Sequence, residues 1–178
     1  MKTQHTNNHT ETWTQKSPFG ELVISAGERG VSQVHLNGSR HGGRSYSTTG
    51  AAKAPKAQRT VSAAFDHYFA GDARALDKLP VDLSGVSSDF QRAVLETLRK
   101  LVKPGMTMSY GELAAAAGWP GAARAVGATM ANNPVPLIIA CHRVLASDRT
   151  LHGYGGGLDM KRALLKMEGV ELSNGRRR

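Results

Sequence analysis

Apolar residues in the first part of the chain come in short runs bounded by glycine. Residues 22–26 and 31–36 are two β-prone runs, and the Gly-Glu-Arg-Gly link at 27–30 is typical of a turn, so the pattern predicts a β-hairpin. Residues 39–57 are rich in Gly, Ser, Thr, Lys and Arg and carry almost no large apolar side chain. We interpret them as a mobile loop, because such a segment cannot bury enough surface to become ordered.

After the loop, the apolar residues no longer form short runs but recur with the spacing of a helix. From about Arg59 to Ala70 apolar side chains recur with a helical period, and Gly71 follows as a stop signal, which predicts an amphipathic helix. A second helix is predicted after Ser88, because Ser88 and Gln91 have the spacing of a capping box. The apolar face of this second helix consists of Phe90, Val94, Leu98 and Leu101.

Two shorter helices are predicted around a break at residues 119–121. The segment 109–112, Ser-Tyr-Gly-Glu, repeats the capping pattern and starts an alanine-rich helix that ends near Gly118. Pro120 suits a first helical position, and the next helix covers 122–132 with mostly small side chains. The pair fits a helix-turn-helix that approaches a nucleic-acid backbone closely, and it equally fits close helix packing in a core.

Length and charge narrow the class of protein. A chain of 178 residues can form one good core or two small ones. It has no apolar stretch of membrane-spanning length, and its polar amino terminus lacks a hydrophobic signal region, so we expect a soluble, cytoplasmic protein without a membrane partner. A net charge of +9 favours polyanionic partners such as nucleic acid, although a basic balance also serves solubility.

The only cysteine, Cys141, ends an apolar run and is followed by His142 and Arg143. A lone cysteine forms no intramolecular disulfide, and metal sites normally take several ligands, so Cys141 is either a small buried hydrophobe or a reactive thiolate. A thiolate needs a positive or proton-accepting neighbour. Because adjacent residues of an extended strand face opposite sides, His142 reaches the sulfur only through a backbone turn or a bridging water.

Six short motifs occur along the second part of the chain. They are Ser109-Tyr110, Ala123-Arg124-Ala125-Val126-Gly127, Asn133-Pro134-Val135-Pro136, Cys141-His142-Arg143-Val144, Tyr154-Gly155-Gly156-Gly157 and Glu168-Gly169. In this order they resemble the O6-alkylguanine-DNA alkyltransferases, also called methylated-DNA–protein-cysteine methyltransferases. The first part matches more loosely, through residues 17–20 and 68–71.

The resemblance implies an α+β fold with two subdomains. Residues 1–87 are expected to form an amino-terminal α/β subdomain related to the ribonuclease-H-like roll. Residues 88–178 are expected to form a helical carboxy-terminal subdomain that holds a helix-turn-helix and the active-site cysteine.

The resemblance also implies a chemistry. In that family the cysteine attacks the alkyl carbon on guanine O6 in double-stranded DNA and keeps the group as a thioether, so each protein molecule acts once and without a cofactor. Cys141 corresponds to the acceptor. His142 and Glu168 correspond to the residues that activate it through a bridging water, and Tyr110 to the residue that donates or shares a proton at guanine N3.

Contacts with DNA follow from the same resemblance. The alkylated nucleotide leaves the stack, and Arg124 corresponds to the arginine that fills its place. Small residues on the same helix would let it lie in the minor groove, where sequence readout is poor: Ala123, Ala125, Gly127 and Ala128. Asn133 corresponds to a support for the turns before the active site. The pocket for the flipped guanine is expected to involve Val144, Tyr154, Gly155 and Gly156, and self-association along DNA is a further partnership that the family leaves open.

Two features depart from the family pattern. Ala140 stands where a proline usually precedes the cysteine, which frees φ and adds a backbone N–H, and we expect this change to be tolerated. Some members hold a structural zinc through cysteines in the first subdomain. This chain has no cysteine there and no compensating histidine pattern, so we expect no metal.

Three other functions compete with alkyl transfer. A damage-binding module that flips the base without transfer is represented by alkyltransferase-like proteins, which lack the cysteine, so Cys141 argues against it. A sequence-specific regulator needs base-reading side chains, whereas residues 122–132 offer mainly alanine and glycine. A cysteine hydrolase is weakened because nothing beyond the Cys-His pair points to an acyl-enzyme site.

Overall fold

The computed structural model describes residues 10–36 and 55–172. Its first part is an antiparallel sheet with the strand order β1-β2-β3, on which one helix, α1, packs. These elements are β1 (Glu11–Ser17), β2 (Gly20–Gly27), β3 (Gly30–His35) and α1 (Lys56–Phe69). The predicted hairpin is confirmed as β2 and β3. Strand β1 was not predicted, because Trp13 is its only buried side chain and leaves no apolar alternation to recognise.

Helix α1 begins earlier than its apolar pattern indicates. The predicted mobile loop at 39–57 lies outside the described residues up to position 54, but Lys56 and Ala57 are helical, so its last two residues were assigned wrongly. Pro55 has a φ of −53°, and its carbonyl accepts a hydrogen bond from the Arg59 N–H at 3.1 Å. The first turn therefore forms from proline geometry, without an apolar side chain.

The second part is mainly helical. Its elements are α2 (Asp89–Leu101), β4 (Met108–Ser109), α3 (Tyr110–Ala116), α4 (Ala123–Ala131), β5 (Val144–Leu145) and α5 (Leu158–Met167). The short strands β4 and β5 pair in parallel. Helix α4 packs on α3, and both contact α2. Among the described helices none is long and apolar enough to cross a membrane.

Two details of the predicted α2 are wrong. Ser88 caps the helix by accepting a hydrogen bond from the Gln91 N–H, but the Gln91 side chain donates to the Asn132 carbonyl at 3.2 Å instead of returning to Ser88. Leu101 is 40% exposed, because the helix ends there and Val102 takes the buried position. The inner face of α2 is formed by Val94, Leu95 and Leu98.

The break between α3 and α4 is longer than predicted. Pro120 is not a first helical residue, because a turn closes first through a hydrogen bond from the Ala122 N–H to the Trp119 carbonyl at 3.2 Å. Gly121 permits this turn with a φ of +85°, a value that side chains disfavour. Helix α4 therefore begins only at Ala123.

One hydrophobic core joins the two parts. Strand β3 reaches the second part directly, since the Val34 N–H donates to the Pro134 carbonyl at 2.8 Å. The apolar run that follows Pro134 is buried and contributes Val135, Leu137, Ile138 and Ile139. The core thus fixes the segment that leads into Cys141.

The two serine caps give a stability prediction. Ser109 forms a complete capping box, because its hydroxyl accepts from the Glu112 N–H at 3.1 Å and Glu112 Oε2 accepts from the Ser109 N–H at 2.6 Å. Ser88 makes only half of such a box. Ser109→Ala should lower the free energy of unfolding by about 1–2 kcal/mol, and Ser88→Ala by about 0.5–1 kcal/mol. Urea unfolding of both variants measures this, and an equal or reversed order would contradict it.

Candidate active site

Cys141 lies in a short 3₁₀ turn, Cys141–Arg143, between the buried run and β5. The backbone therefore turns at the cysteine, which meets one of the two conditions for His142 to serve the sulfur. Cys141 is 6% exposed and His142 fully buried. The buried apolar run and the turn that follows it therefore place a cysteine and an imidazole inside the core.

Asn133 holds the run in shape. Its Nδ2 donates to the Ile139 carbonyl at 2.7 Å, and its Oδ1 accepts from the Val135 N–H at 3.1 Å. Between these anchors Leu137 has a φ of 74°, a strained value for a buried leucine. The amide of Asn133 offsets this strain by closing the turn from both sides.

The carboxylate of Glu168, at the end of α5, collects four hydrogen bonds. Its Oε1 accepts from His142 Nε2 at 2.9 Å, from Arg143 Nη2 at 2.9 Å and from the Tyr68 hydroxyl at 2.7 Å. Its Oε2 accepts from Arg143 Nε at 2.7 Å. Burial alone would raise the pKa of Glu168, but the hydrogen bonds and charges of His142 and Arg143 outweigh it and lower the pKa to about 2.

His142 is a neutral imidazole in this setting. Burial lowers its pKa, and the hydrogen bond to Glu168 only partly opposes that effect. Because Nε2 faces the ionised Glu168, Nε2 carries the proton and Nδ1 carries the lone pair. Nδ1 is buried and has no hydrogen-bond partner within the described ranges. His142 can therefore accept a proton at Nδ1 while Glu168 stabilises the cation that results.

The Cys141 thiol is protonated at rest. Burial raises its pKa, while Asn133 and the charge of Lys161 act in the opposite direction without reversing the shift. Lys161 is itself buried, and its Nζ donates to the Val144 carbonyl at 2.8 Å and to the His152 carbonyl at 3.1 Å. Burial lowers the pKa of Lys161 to about 8. The sulfur therefore needs a base during any reaction, and His142 is the base nearest to it in sequence.

Two cavities reach Cys141. The larger, of about 400 Å³, brings Cys141 together with Tyr110, Tyr154, Gly155 and Gly127. The smaller, of about 240 Å³, lies on the side of β3 and also touches Asn133. Burial raises the pKa of Tyr110, so its hydroxyl remains a proton donor inside the larger cavity.

Two predicted pocket residues do not line either cavity. The Val144 carbonyl already accepts the hydrogen bond from Lys161, and the Val144 side chain is fully buried. A side chain at Gly156 would meet the flexible side chain of Met160, as well as Tyr154 and Leu36. Contact of either residue with a guanine stays a prediction.

Helix α4 presents small residues to solvent. Arg124, Ala125 and Ala128 are exposed, Ala123 and Gly127 are half-buried, and the inner face consists of Val126, Thr129 and Met130. Ala125 and Ala128 thus do not serve close packing in the core, which was the alternative interpretation, whereas Ala122 does pack against the core. The exposed alanines leave a smooth face with one arginine near its amino-terminal end.

Three contributors were missed by sequence reasoning. Tyr68 and Arg143 bind Glu168, and Lys161 binds the backbone beside the active-site turn. Arg143 follows His142 in the chain, and Tyr68 lies in a loosely matching motif. Neither position in the sequence indicates that the side chain binds Glu168. No pattern distinguishes Lys161 from an ordinary helical lysine, although the structure buries it completely.

Comparison with known proteins agrees with the arrangement. Residues 89–170 match the family of the 6-O-methylguanine DNA methyltransferase, DNA binding domain. A methylated-DNA–protein-cysteine methyltransferase of Mycolicibacterium paratuberculosis is 37% identical over 155 residues, which cover 87% of this chain and 90% of the relative. The chain belongs to this family.

Further similarities extend the comparison. A methylated-DNA–protein-cysteine methyltransferase of Haemophilus influenzae is 43% identical over 110 residues, which span 62% of this chain and only 60% of that relative. A crystal structure of Mycobacterium tuberculosis OGT in complex with DNA superposes with a TM-score of 0.72 at 34% identity, over 90% of this chain and 93% of the other. The mixed α+β fold is thus shared along nearly the whole chain.

Metal binding has no support among the residues described, which contain no group of His, Cys, Asp and Glu suited to an ion. His5, His9 and His41 lie outside them. The expected absence of zinc therefore stays a prediction.

Ala140 provides a test of the backbone before the cysteine. Its φ is −78°, within the range of about −65 ± 15° that a proline ring imposes. Ala140→Pro should therefore leave the free energy of unfolding unchanged or raise it by up to about 1 kcal/mol. Ala140→Gly, the matched control, should lower it by about 0.5–1 kcal/mol. A lower free energy of unfolding in the proline variant would contradict this prediction. A large gain of alkyl transfer in the proline variant would show that Ala140 impairs the site.

Proposed function

We propose that this chain repairs alkylated DNA by direct reversal, taking the alkyl group from guanine O6 onto Cys141 in a single, irreversible turnover. Membership in the methylated-DNA–protein-cysteine methyltransferases supports the reaction. The observation that carries the assignment of residues is that the only cysteine opens on a cavity with Tyr110 and is followed by an imidazole bound to a buried carboxylate.

Activation of the thiol follows from the protonation states. Because the Cys141 thiol is protonated and His142 Nδ1 has a lone pair, the proton passes to His142, with a water between the two as the resemblance implies. The Glu168 carboxylate then stabilises the imidazolium. Lys161 adds a positive charge that favours the thiolate.

Transfer balances in atoms and protons. The sulfur forms a bond to the alkyl carbon while the bond between that carbon and O6 breaks, and the electron pair stays with guanine. Tyr110 supplies or shares a proton at guanine N3, which relieves the developing charge. The proton that His142 took from Cys141 then replaces the one given by Tyr110, so the proton lost by Cys141 matches the one gained by guanine and no cofactor is needed.

Entry of the base requires extrusion from the duplex, since a sulfur inside a cavity cannot meet a carbon in a stacked helix. The exposed face of α4 supports an approach through the minor groove, with α3 and α4 as the helix-turn-helix and Arg124 filling the vacated space. Self-association along the DNA and a cytoplasmic location belong to the same proposal.

We also propose that the chain divides into two subdomains between residues 87 and 88. The antiparallel sheet with α1 supports an amino-terminal α/β unit of the ribonuclease-H-like kind, and the helices from α2 onward support a carboxy-terminal unit with the active site. Tyr154 and Gly156 would shape the wall of the guanine pocket, and backbone groups around Cys141, Val144 and Gly155 would recognise the base. Asn133 would support the turns before the active site.

Intact mass tests the proposal. Incubation with a duplex that contains O6-methylguanine should add one methylene to each protein molecule. Because the chain has one cysteine, Cys141→Ser should abolish the gain, and a duplex with unmodified guanine should produce none. An unchanged mass of the folded wild-type protein would contradict alkyl transfer, and a gain that survives in Cys141→Ser would contradict the acceptor.

A further inference from the structure

A tyrosine from the first half of the chain reaches the hydrogen-bond system of the active site. Tyr68 lies on α1, is fully buried, and donates its hydroxyl proton to Glu168 Oε1 at 2.7 Å, across 100 residues of sequence. Its ring packs edge-on against Phe69. Glu168 is the hydrogen-bonding partner of the hydroxyl in this fold.

Tyr68 and His142 bind the same oxygen atom. Glu168 Oε1 accepts from Tyr68, from His142 Nε2 and from Arg143 Nη2, whereas Oε2 accepts from Arg143 Nε. The two hydrogen bonds from Arg143 fix the carboxylate within the plane that it shares with the guanidinium, but the carboxylate can still rotate out of that plane. The additional donor on Oε1, the Tyr68 hydroxyl from a separate helix, fixes where this oxygen lies relative to His142.

The surroundings of Tyr68 and Glu168 keep the tyrosine protonated and the carboxylate ionised, so the hydrogen bond between them is maintained. The groups that face Glu168 are Tyr68, His142 and Arg143, and the charge of Lys161 also acts on His142. Burial, reinforced by Glu168, raises the pKa of Tyr68, so the hydroxyl remains a donor. Glu168 remains an acceptor because its pKa is low.

We propose that Tyr68 is a positioning residue for alkyl transfer, which fixes the Glu168 oxygen that orients His142 toward the Cys141 sulfur. The first half of the chain thereby takes part in activating the nucleophile. The inference rests on the proposed function, because it assigns a role within the reaction of Cys141.

A second hydroxyl on the same helix provides a matched control for a purely structural role of Tyr68. Ser62 also lies on α1 and accepts a hydrogen bond from Trp13 Nε1 at 3.1 Å, with no contact to Glu168. Ser62→Ala and Tyr68→Phe each remove one hydroxyl from α1. Only Tyr68→Phe removes a donor from the active-site carboxylate.

Single-turnover transfer from an O6-methylguanine duplex separates the two roles. Tyr68→Phe should slow the transfer step by about 3- to 30-fold, as expected for loss of a hydrogen bond to a charged group. Its affinity for the duplex should be unchanged, and Ser62→Ala should transfer at the wild-type rate. Replacement of Tyr68 by 4-aminophenylalanine, which keeps a donor at the same position, should recover most of the rate.

Labelling with iodoacetamide gives a second measurement without DNA. Because Cys141 is the only cysteine, the mass gain reports its reactivity alone, and this reactivity should fall in Tyr68→Phe but not in Ser62→Ala. Wild-type transfer and labelling rates in folded Tyr68→Phe would overturn the inference, as would an equal loss in Ser62→Ala. If the wild-type protein gains no methylene, the proposed function fails, and this inference fails with it.

Discussion

The carboxylate of Glu168 is charged, buried and shared by side chains from two other segments of the chain. Isolating such a charge from water costs several kcal/mol unless donors surround it. Here Tyr68 comes from α1, His142 and Arg143 come from the active-site turn, and Glu168 itself ends α5. Arg143 extends the system by donating Nη1 to the Val102 carbonyl at 2.8 Å. The charge is satisfied only when these segments meet, so this contact couples the core to the site.

That arrangement explains how a cysteine that is only 6% exposed can serve as an alkyl acceptor. Burial protects the thiol in its protonated form and keeps His142 neutral, so neither carries a charge in the resting core. The permanent charges are placed one step away, on Glu168 and Arg143, where they compensate each other. In the proposed reaction, proton transfer from the sulfur to His142 would create a cation beside an anion that is already oriented, which is the condition for low reorganisation.

Local signals in the sequence predict local structure well. The hairpin follows from two β-prone runs around a glycine turn, and the start of α3 follows from a capping box that is fully formed. Prediction fails where a distant group competes, since Gln91 leaves its own cap for the Asn132 carbonyl. It also misses Lys161, whose Nζ reaches the Val144 carbonyl from helix α5. The motif resemblance supplied Cys141, Tyr110 and Tyr154, which the fold brings to one cavity. It could not supply the bond between Tyr68 and Glu168, because no local pattern links side chains 100 residues apart.

The most direct test of the account is the pKa of Glu168 in the folded protein, measured by a carbon-13 NMR titration of its carboxyl group with Glu168→Gln to assign the signal. A group whose folded pKa is depressed stabilises the protein above its ordinary pKa and loses that contribution as the pH falls toward the folded value. The carboxyl is predicted to stay ionised until the pH approaches about 2 or the protein unfolds in acid. Titration of the folded protein near the ordinary value of 4.5 would contradict it.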